Sequence, residues 1–150
     1  MENFKIRKYT TKDKQETLKM FKDFYDSPAV LHKIPHEHFE KTLTEIESKS
    51  PFLSLYIFEK ENQIAGYSLL AFSYSNEAGG NVLWIDELYL KENYRAQGIA
   101  TLFFGFLKEN FKNCTRFRLE IDKRNIHAEN LYKRLGFEFL DYKQYIQDFG

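Results

Sequence analysis

The stretch from Val82 to Phe111 limits what this chain can fold into more than any other. It opens with Val82-Leu83-Trp84-Ile85, continues through Asp86-Glu87-Leu88-Tyr89-Leu90 and turns at Lys91-Glu92-Asn93-Tyr94. The first part is dense in β-branched and aromatic residues and free of proline and glycine, which predicts a strand. Arg95-Ala96-Gln97-Gly98-Ile99-Ala100 follows, and then Ile99, Leu102, Phe103 and Phe106 recur at i, i+3, i+4 and i+7, the period of a helix. Gly98 stands where that helix begins. A strand, a short loop and a glycine-opened helix gather free N–H groups at the positive end of a helix dipole. Such a place binds anions, most naturally phosphate.

Composition narrows the class of protein. One hundred and fifty residues, 43% hydrophobic and 17% aromatic, suit one folded domain spanning 1–150 and exclude a disordered chain. Lysine plus arginine equals aspartate plus glutamate at 22 each, so nothing points to nucleic acid as a partner. The single cysteine, Cys114, excludes an intrachain disulfide and reads as a small hydrophobe at a strand start. The start, Met1-Glu2-Asn3-Phe4-Lys5, lacks a signal-peptide apolar region, and no apolar run approaches membrane length. The expected setting is cytoplasmic and reducing, without a membrane partner.

In chain order, Phe4 to Tyr9 reads as a first strand, and Thr10 or Thr11 as the cap of a helix running to Tyr25 with Leu18, Phe21 and Phe24 inward. Pro35 opens a second helix that ends before Pro51 and buries Phe39, Leu43 and Ile46. Between them lie His32, His36 and His38, which lack the helical spacing of a metal motif and read as polar surface or pocket wall; no metal site is expected. Phe52–Phe58, a turn at Glu61-Asn62, and Ile64–Tyr74 form a hairpin that leads into the Val82 strand. After the Ile99 helix, Arg116–Ile121 is a strand reached by a crossover, so it lies parallel to the Val82 strand.

The last distinctive segment is Asn125-Ile126-His127-Ala128-Glu129-Asn130-Leu131-Tyr132-Lys133-Arg134-Leu135-Gly136-Phe137. Asn125 suits an N-cap and Gly136 a C-terminal stop, with Ala128, Leu131 and Leu135 inward. Two motifs are thus in place, Arg95-x-x-Gly98-x-Ala100 and Asn125-x-x-Ala128-x-x-Leu131-Tyr132-x-x-x-Gly136-Phe137. Together they resemble the paired signatures of the GNAT superfamily of acyl-CoA-dependent N-acetyltransferases. Common nucleotide fingerprints do not fit: there is no Gly-x-x-x-x-Gly-Lys-Ser/Thr and no Gly-x-Gly-x-x-Gly after this strand.

The resemblance implies an α/β fold with a mixed sheet of about six to seven strands, about four helices, and two splayed parallel strands in the middle. It implies acetyl-CoA as cosubstrate, its pantetheine arm held by backbone of Leu88 and Leu90 and its pyrophosphate by amides from Gln97 to Ala100. The implied cofactor set is Leu88, Tyr89, Leu90, Arg95, Ala96, Gln97, Gly98, Ile99 and Ala100, with Asn125 and Tyr132 from the later helix. Tyr132 is the implied acid for the departing thiolate. An alkylammonium acceptor, with a pKa near about 10.4, must lose a proton before it attacks, and Asp86 and Glu87 are the nominated bases. Adjacent strand residues face opposite ways, so only a bulge would let both serve one site. The same two carboxylates also read as charges that orient loops.

The implied activity is acetyl transfer to a primary amine by direct attack in a ternary complex, by a monomer or a homodimer. The alternative is an acyl-CoA-binding regulatory module without turnover. The amine itself is not written in the sequence; Asp23, Tyr25, Asp26, His32, His36, Tyr74 and Glu77 are the acceptor-side candidates.

Overall fold

The computed structural model describes residues 3–150. The elements are β1 (Phe4–Lys8), α1 (Lys14–Tyr25), α2 (His36–Glu47), β2 (Leu53–Lys60), β3 (Gln63–Ser75), β4 (Gly80–Leu90), α3 (Ile99–Asn110), β5 (Cys114–Leu119) and α4 (Ile126–Arg134). Short 3₁₀ turns, Thr11–Asp13 and Glu92–Tyr94, precede α1 and α3. The five strands form one sheet in the order β1-β2-β3-β4-β5, antiparallel until the parallel β4–β5 pair.

Local chemistry accounts for the boundaries. Glu61 and Asn62 both adopt positive φ, 53° and 63°, and make the two-residue turn whose twist matches the β2–β3 hairpin. The Thr10 hydroxyl and backbone amide both meet the Asp13 carboxylate, closing a reciprocal cap before α1. Arg7 forks onto the two Asp13 oxygens at 2.8 Å each and fixes β1 against that cap. Asn125 Oδ1 accepts from the Ala128 amide at 3.0 Å, and Gly136 at φ 94° ends α4, as the sequence predicts.

Two hydrophobic layers sandwich the sheet. On one face, Met20, Phe21 and Phe24 of α1 and Phe39 and Leu43 of α2 pack on Leu55, Ile57, Tyr67 and Leu69. On the other, Ile99, Phe103, Phe104 and Leu107 of α3 pack on Tyr56, Phe58, Leu70, Leu83 and Ile85. Alternation along β2 supplies both, Leu55 and Ile57 to one side and Tyr56 and Phe58 to the other. Fully burying one such side chain contributes about 1.5–3 kcal/mol.

Three expectations change. α3 is rotated from its predicted stripe: Leu102 is 42% exposed, and Phe104 and Leu107 are buried. Nearly every residue from Ile99 to Leu107 is apolar, so spacing alone does not choose the inward face. The sheet has five strands among the described residues, rather than six or seven. Residues 138–150 form neither helix nor strand, so the parallel pair stands at one edge of the sheet and not in its middle.

Candidate active site

The site is made by an irregularity in β4. Leu69 pairs with Glu87 and Leu70 with Ile85, which leaves Asp86 without a partner on β3. Pairing to β5 ends at the same place, at Ile85–Leu119, while β4 runs on to Leu90. Asp86 therefore has no ladder partner on either side, and β4 and β5 part beyond it. The extra residue also reverses the phase of the strand. Leu83 and Ile85 face α3 before it, whereas Glu87 bonds on the α1–α2 side and Leu88 and Leu90 face α3 after it. Asp86 and Glu87 consequently line one cavity.

That cavity, about 330 Å³, is walled by Phe21 and Tyr25 of α1, Ile34, His38, Phe39, Lys41 and Thr42 around α2, and Leu69 of β3; Lys41 makes no ion pair with Glu87. Glu87 is 6% exposed. Tyr25 Oη donates to its Oε2 at 2.5 Å and Tyr67 Oη to its Oε1 at 2.7 Å. The Ser68 hydroxyl donates to the Glu87 carbonyl at 2.8 Å. No lysine, arginine or histidine among the described residues pairs with this carboxylate. Burial pushes Glu87 up to about 7, against the two phenols, which pull it down; the nearby Asp86 charge adds to the rise. The Tyr25 and Tyr67 phenols are raised in turn, by burial first and then by the Glu87 charge. Asp86 is more open at its lip, yet enough protein surrounds it to hold its carboxyl above the ordinary range, with Glu120 reinforcing the effect.

On the far side of the bulge lies the Gly98 turn. Gly98 adopts φ 82° and Ala96 φ 59°, left-handed conformations that coil the chain before α3. In this region glycine is the residue without a Cβ penalty. The first amides of α3, from Ile99, have no carbonyl one turn behind them to accept. Arg95 folds back: its Nε donates to the Leu90 carbonyl at 2.8 Å and its guanidinium lies 5.9 Å from the centre of the Tyr89 ring. Gln97 is held from both ends, donating to the Asn93 carbonyl and accepting from Lys60 Nζ. The Tyr89 ring points into the α1–α2 layer, where its hydroxyl donates to Asp23 at 3.3 Å.

Tyr132 sits on α4 with its ring edge-on to Phe104 and Phe137, at 5.7 and 5.9 Å between centres. Its hydroxyl is raised by burial alone. Asn125 is exposed, and its side-chain oxygen is engaged as the α4 cap. The structure thus brings Asp86 and Glu87 together, groups Leu88 to Ala100 around the bulge and turn, and carries Tyr132 on the α3 face of the sheet.

Of the acceptor-side candidates, Tyr25 lines the cavity. Asp26 pairs with Lys22, His36 lies edge-on to Phe39, and Glu77 pairs with Arg116 at the far end of β4. Tyr67 and Ser68 belong to the site and were missed, whereas His38, read from the sequence as polar surface or pocket wall, lines the cavity. Tyr67 had a readable signal: a lone phenol in the apolar middle of a strand needs a partner for its hydroxyl.

Residues 15–137 match the sequence model of the Acetyltransferase (GNAT) family. The chain belongs to that family, and its class is that of enzymes that move an acetyl group from acetyl-CoA. Thialysine N-epsilon-acetyltransferase of Mus musculus is 29% identical over 150 residues, covering 93% of this chain and 87% of that protein. Spermine/spermidine N(1)-acetyltransferase of Bacillus subtilis is 27% identical over 84 residues, 53% of this chain and 55% of that protein. Among solved structures, a possible acetyltransferase from Clostridium difficile 630 superposes with a TM-score of 0.83 at 20% identity, over 99% of both chains. The aminoglycoside N-acetyltransferase AAC(6')-Iy in complex with CoA superposes at 0.78 with 15% identity, over 97% of this chain and 94% of that one. These last two likenesses are of fold.

Proposed function

We propose that this protein is an N-acetyltransferase that passes the acetyl group of acetyl-CoA to a primary alkylamine carrying positive charge, of the kind named in its thialysine and spermine/spermidine relatives. The observation that carries the reading is the Glu87 carboxylate, buried at a cavity wall without a cationic partner among the described residues. An uncompensated carboxylate in a low-dielectric pocket is costly, and an ammonium ion relieves that cost.

In this reading the donor lies along β4 beyond the bulge, where Leu88 and Leu90 have no β5 neighbour, with its pyrophosphate over the amides from Gln97 to Ala100. Arg95 and Gln97 hold the turn in shape. Asp86, more open and raised, takes the ammonium proton directly or through water; Glu87, with both oxygens already accepting, holds the positive charge. The freed amine attacks the thioester carbonyl carbon and the C–S bond breaks; the departing thiolate takes a proton from the Tyr132 hydroxyl, the acylated nitrogen gives up its extra proton to water, and water reprotonates Tyr132. The reaction runs in one domain, and the lone half-buried Cys114 suits a reducing, cytoplasmic setting.

The test is release of CoA thiol from acetyl-CoA across a panel holding thialysine, lysine, spermidine, putrescine, an aminoglycoside and an anionic amino sugar. The expected order favours the cationic alkylamines in kcat/KM. Tight acetyl-CoA binding without turnover on any amine would leave a regulatory module in place of an enzyme.

A further inference from the structure

The cavity that holds Glu87 carries charge of both signs. β4 contributes Asp86 and Glu87, and α2 contributes Lys41 between His38 and Thr42. On a helix, residues three and four apart are neighbours, so these α2 side chains share one face. Thr42 Oγ1 already donates to the His38 carbonyl at 3.0 Å, which leaves the Lys41 ammonium as the charged donor of that wall.

Lys41 is exposed and has no ion-pair partner. Glu37 and Glu45 stand one turn before and one turn after it on α2, the positions from which a carboxylate ordinarily meets a lysine. Glu40, next in the chain, pairs with Lys14 at 3.3 Å. Lys41 pairs with none of these among the described residues, nor with Asp86 or Glu87. Charges of opposite sign are thus held on two elements of one cavity without neutralising each other.

A ligand that complements this arrangement carries both signs itself. A diamine satisfies the carboxylates at one end and brings a second ammonium toward Lys41, where like charges repel. An ω-amino acid offers its ammonium to Glu87 and its carboxylate to Lys41. The volume, about 330 Å³, lies at the small end for ligand sites and suits a free amino acid better than a stretch of peptide.

We propose that Lys41 is a specificity-determining residue: it binds the carboxylate of a free ω-amino acid whose ammonium lies at Glu87, and it turns diamines away. The inference rests on the amine-acceptor reading and deepens it, by naming the far end of the acceptor.

The test is calorimetric titration of amines into the protein saturated with CoA, where no acetyl group is present to transfer. The probes share the lysine skeleton: lysine, ε-aminocaproate without the α-amine, lysinamide without the free carboxylate, and cadaverine without any carboxyl carbon. The parent is expected to bind lysine and ε-aminocaproate about fivefold more tightly than lysinamide and cadaverine, the size of one partly screened ion pair. Lys41→Met is expected to erase that preference, Lys41→Arg to keep it, and Lys41→Glu to reverse it in favour of cadaverine. Because Lys41 is exposed, all of these variants are expected to melt close to the parent. Lysinamide or cadaverine binding the parent as tightly as lysine overturns the proposal. So does a preference that survives Lys41→Met, which would assign the carboxylate to His38 or another group. A carboxylate preference that depends on Lys41, found together with no turnover of any amine, upholds the role of Lys41 and overturns acetyl transfer instead.

Discussion

Tyr25 Oη lies 2.5 Å from Glu87 Oε2, tying the last residue of α1 to the bulged middle of β4 across 62 positions of sequence. Tyr67 holds the other carboxylate oxygen from β3. The cavity wall is therefore a three-residue junction of two phenols and one carboxylate, and its charge is set by competition. Burial favours the neutral acid and the phenols favour the anion, leaving Glu87 near 7.

Tyr25→Phe removes one of the two groups that stabilise the anion. Glu87 then titrates at higher pH and is more often neutral at pH 7, where a cationic amine needs it charged. The expected outcome is an amine KM raised about tenfold at pH 7, consistent with losing one charge-assisted hydrogen bond of about 1.5 kcal/mol, and partly restored at pH 9. Steady-state kinetics at both pH values check it. An unchanged KM at pH 7 would separate Tyr25 from amine binding.

Glu87→Gln tests the same junction through stability. The folded-state pKa, about 7, lies above the ordinary value of 4.5, so the folded protein binds the proton more tightly than the unfolded chain. Its contribution to stability is complete below pH 4.5 and is lost as pH rises to 7 and beyond, an effect of about 3 kcal/mol in all. Glu87→Gln carries no such titration. Denaturant unfolding of parent and variant from pH 4.5 to 8 is expected to show the parent losing ground relative to the variant. A saturating alkylamine is expected to return most of that loss.

The two carboxylates separate in their pH–rate profiles. With Asp86 as the proton acceptor, Asp86→Asn raises the pH of half-maximal kcat/KM. Glu87→Gln acts chiefly on amine KM. Parallel profiles over pH 6 to 10 check the division of labour, and an unmoved profile in Asp86→Asn would assign proton removal to water or another group.

Gly98 holds φ 82° with open space where a Cβ would stand. Gly98→Ala is therefore expected to cost about 1–2 kcal/mol of stability through conformation alone. Gly98→Glu adds bulk and negative charge at the anion site and is expected to abolish acetyl-CoA binding. Calorimetric titration of both variants distinguishes strain from exclusion of the pyrophosphate; equal affinity in Gly98→Glu and parent would remove the phosphate from this turn.

Tyr132→Phe retains the ring that packs on Phe104 and Phe137 and removes only the hydroxyl. If that hydroxyl protonates the leaving thiolate, kcat falls by about 10²-fold or more, while acetyl-CoA affinity and melting temperature stay close to the parent's. Normal kcat with a lower melting temperature would make Tyr132 a packing residue.

Much of the fold was legible because its signals are local. The Glu61-Asn62 turn, the Asn125 cap, the Gly136 stop and the Gly98 helix start each depend on a few adjacent residues. The phase of α3 was not, since Leu102, Phe103, Phe104 and Phe106 offer several equally apolar faces. Nor was the Glu87 junction, whose partners come from α1 and β3 and meet only in the folded sheet. Tyr25 could be named as a residue near the acceptor, but its bond to Glu87 required the register of β4. The strand count was overestimated because it came from the family resemblance and not from any segment of the sequence, and residues 138–150 form no strand.

β4 behaves as two half-strands joined out of step. Upstream of Asp86 its odd positions build the α3 layer, and downstream its even positions do, so the strand has two independent reading frames. An insertion or deletion of one residue between Val82 and Ile85 would scramble the hydrophobic layer and leave the Glu87 frame to re-form around the remaining bulge. The same change between Glu87 and Leu90 would spare Leu83 and Ile85 and displace the site. Damage to folding and damage to chemistry are thus separable along a single strand, with Asp86 as the dividing residue.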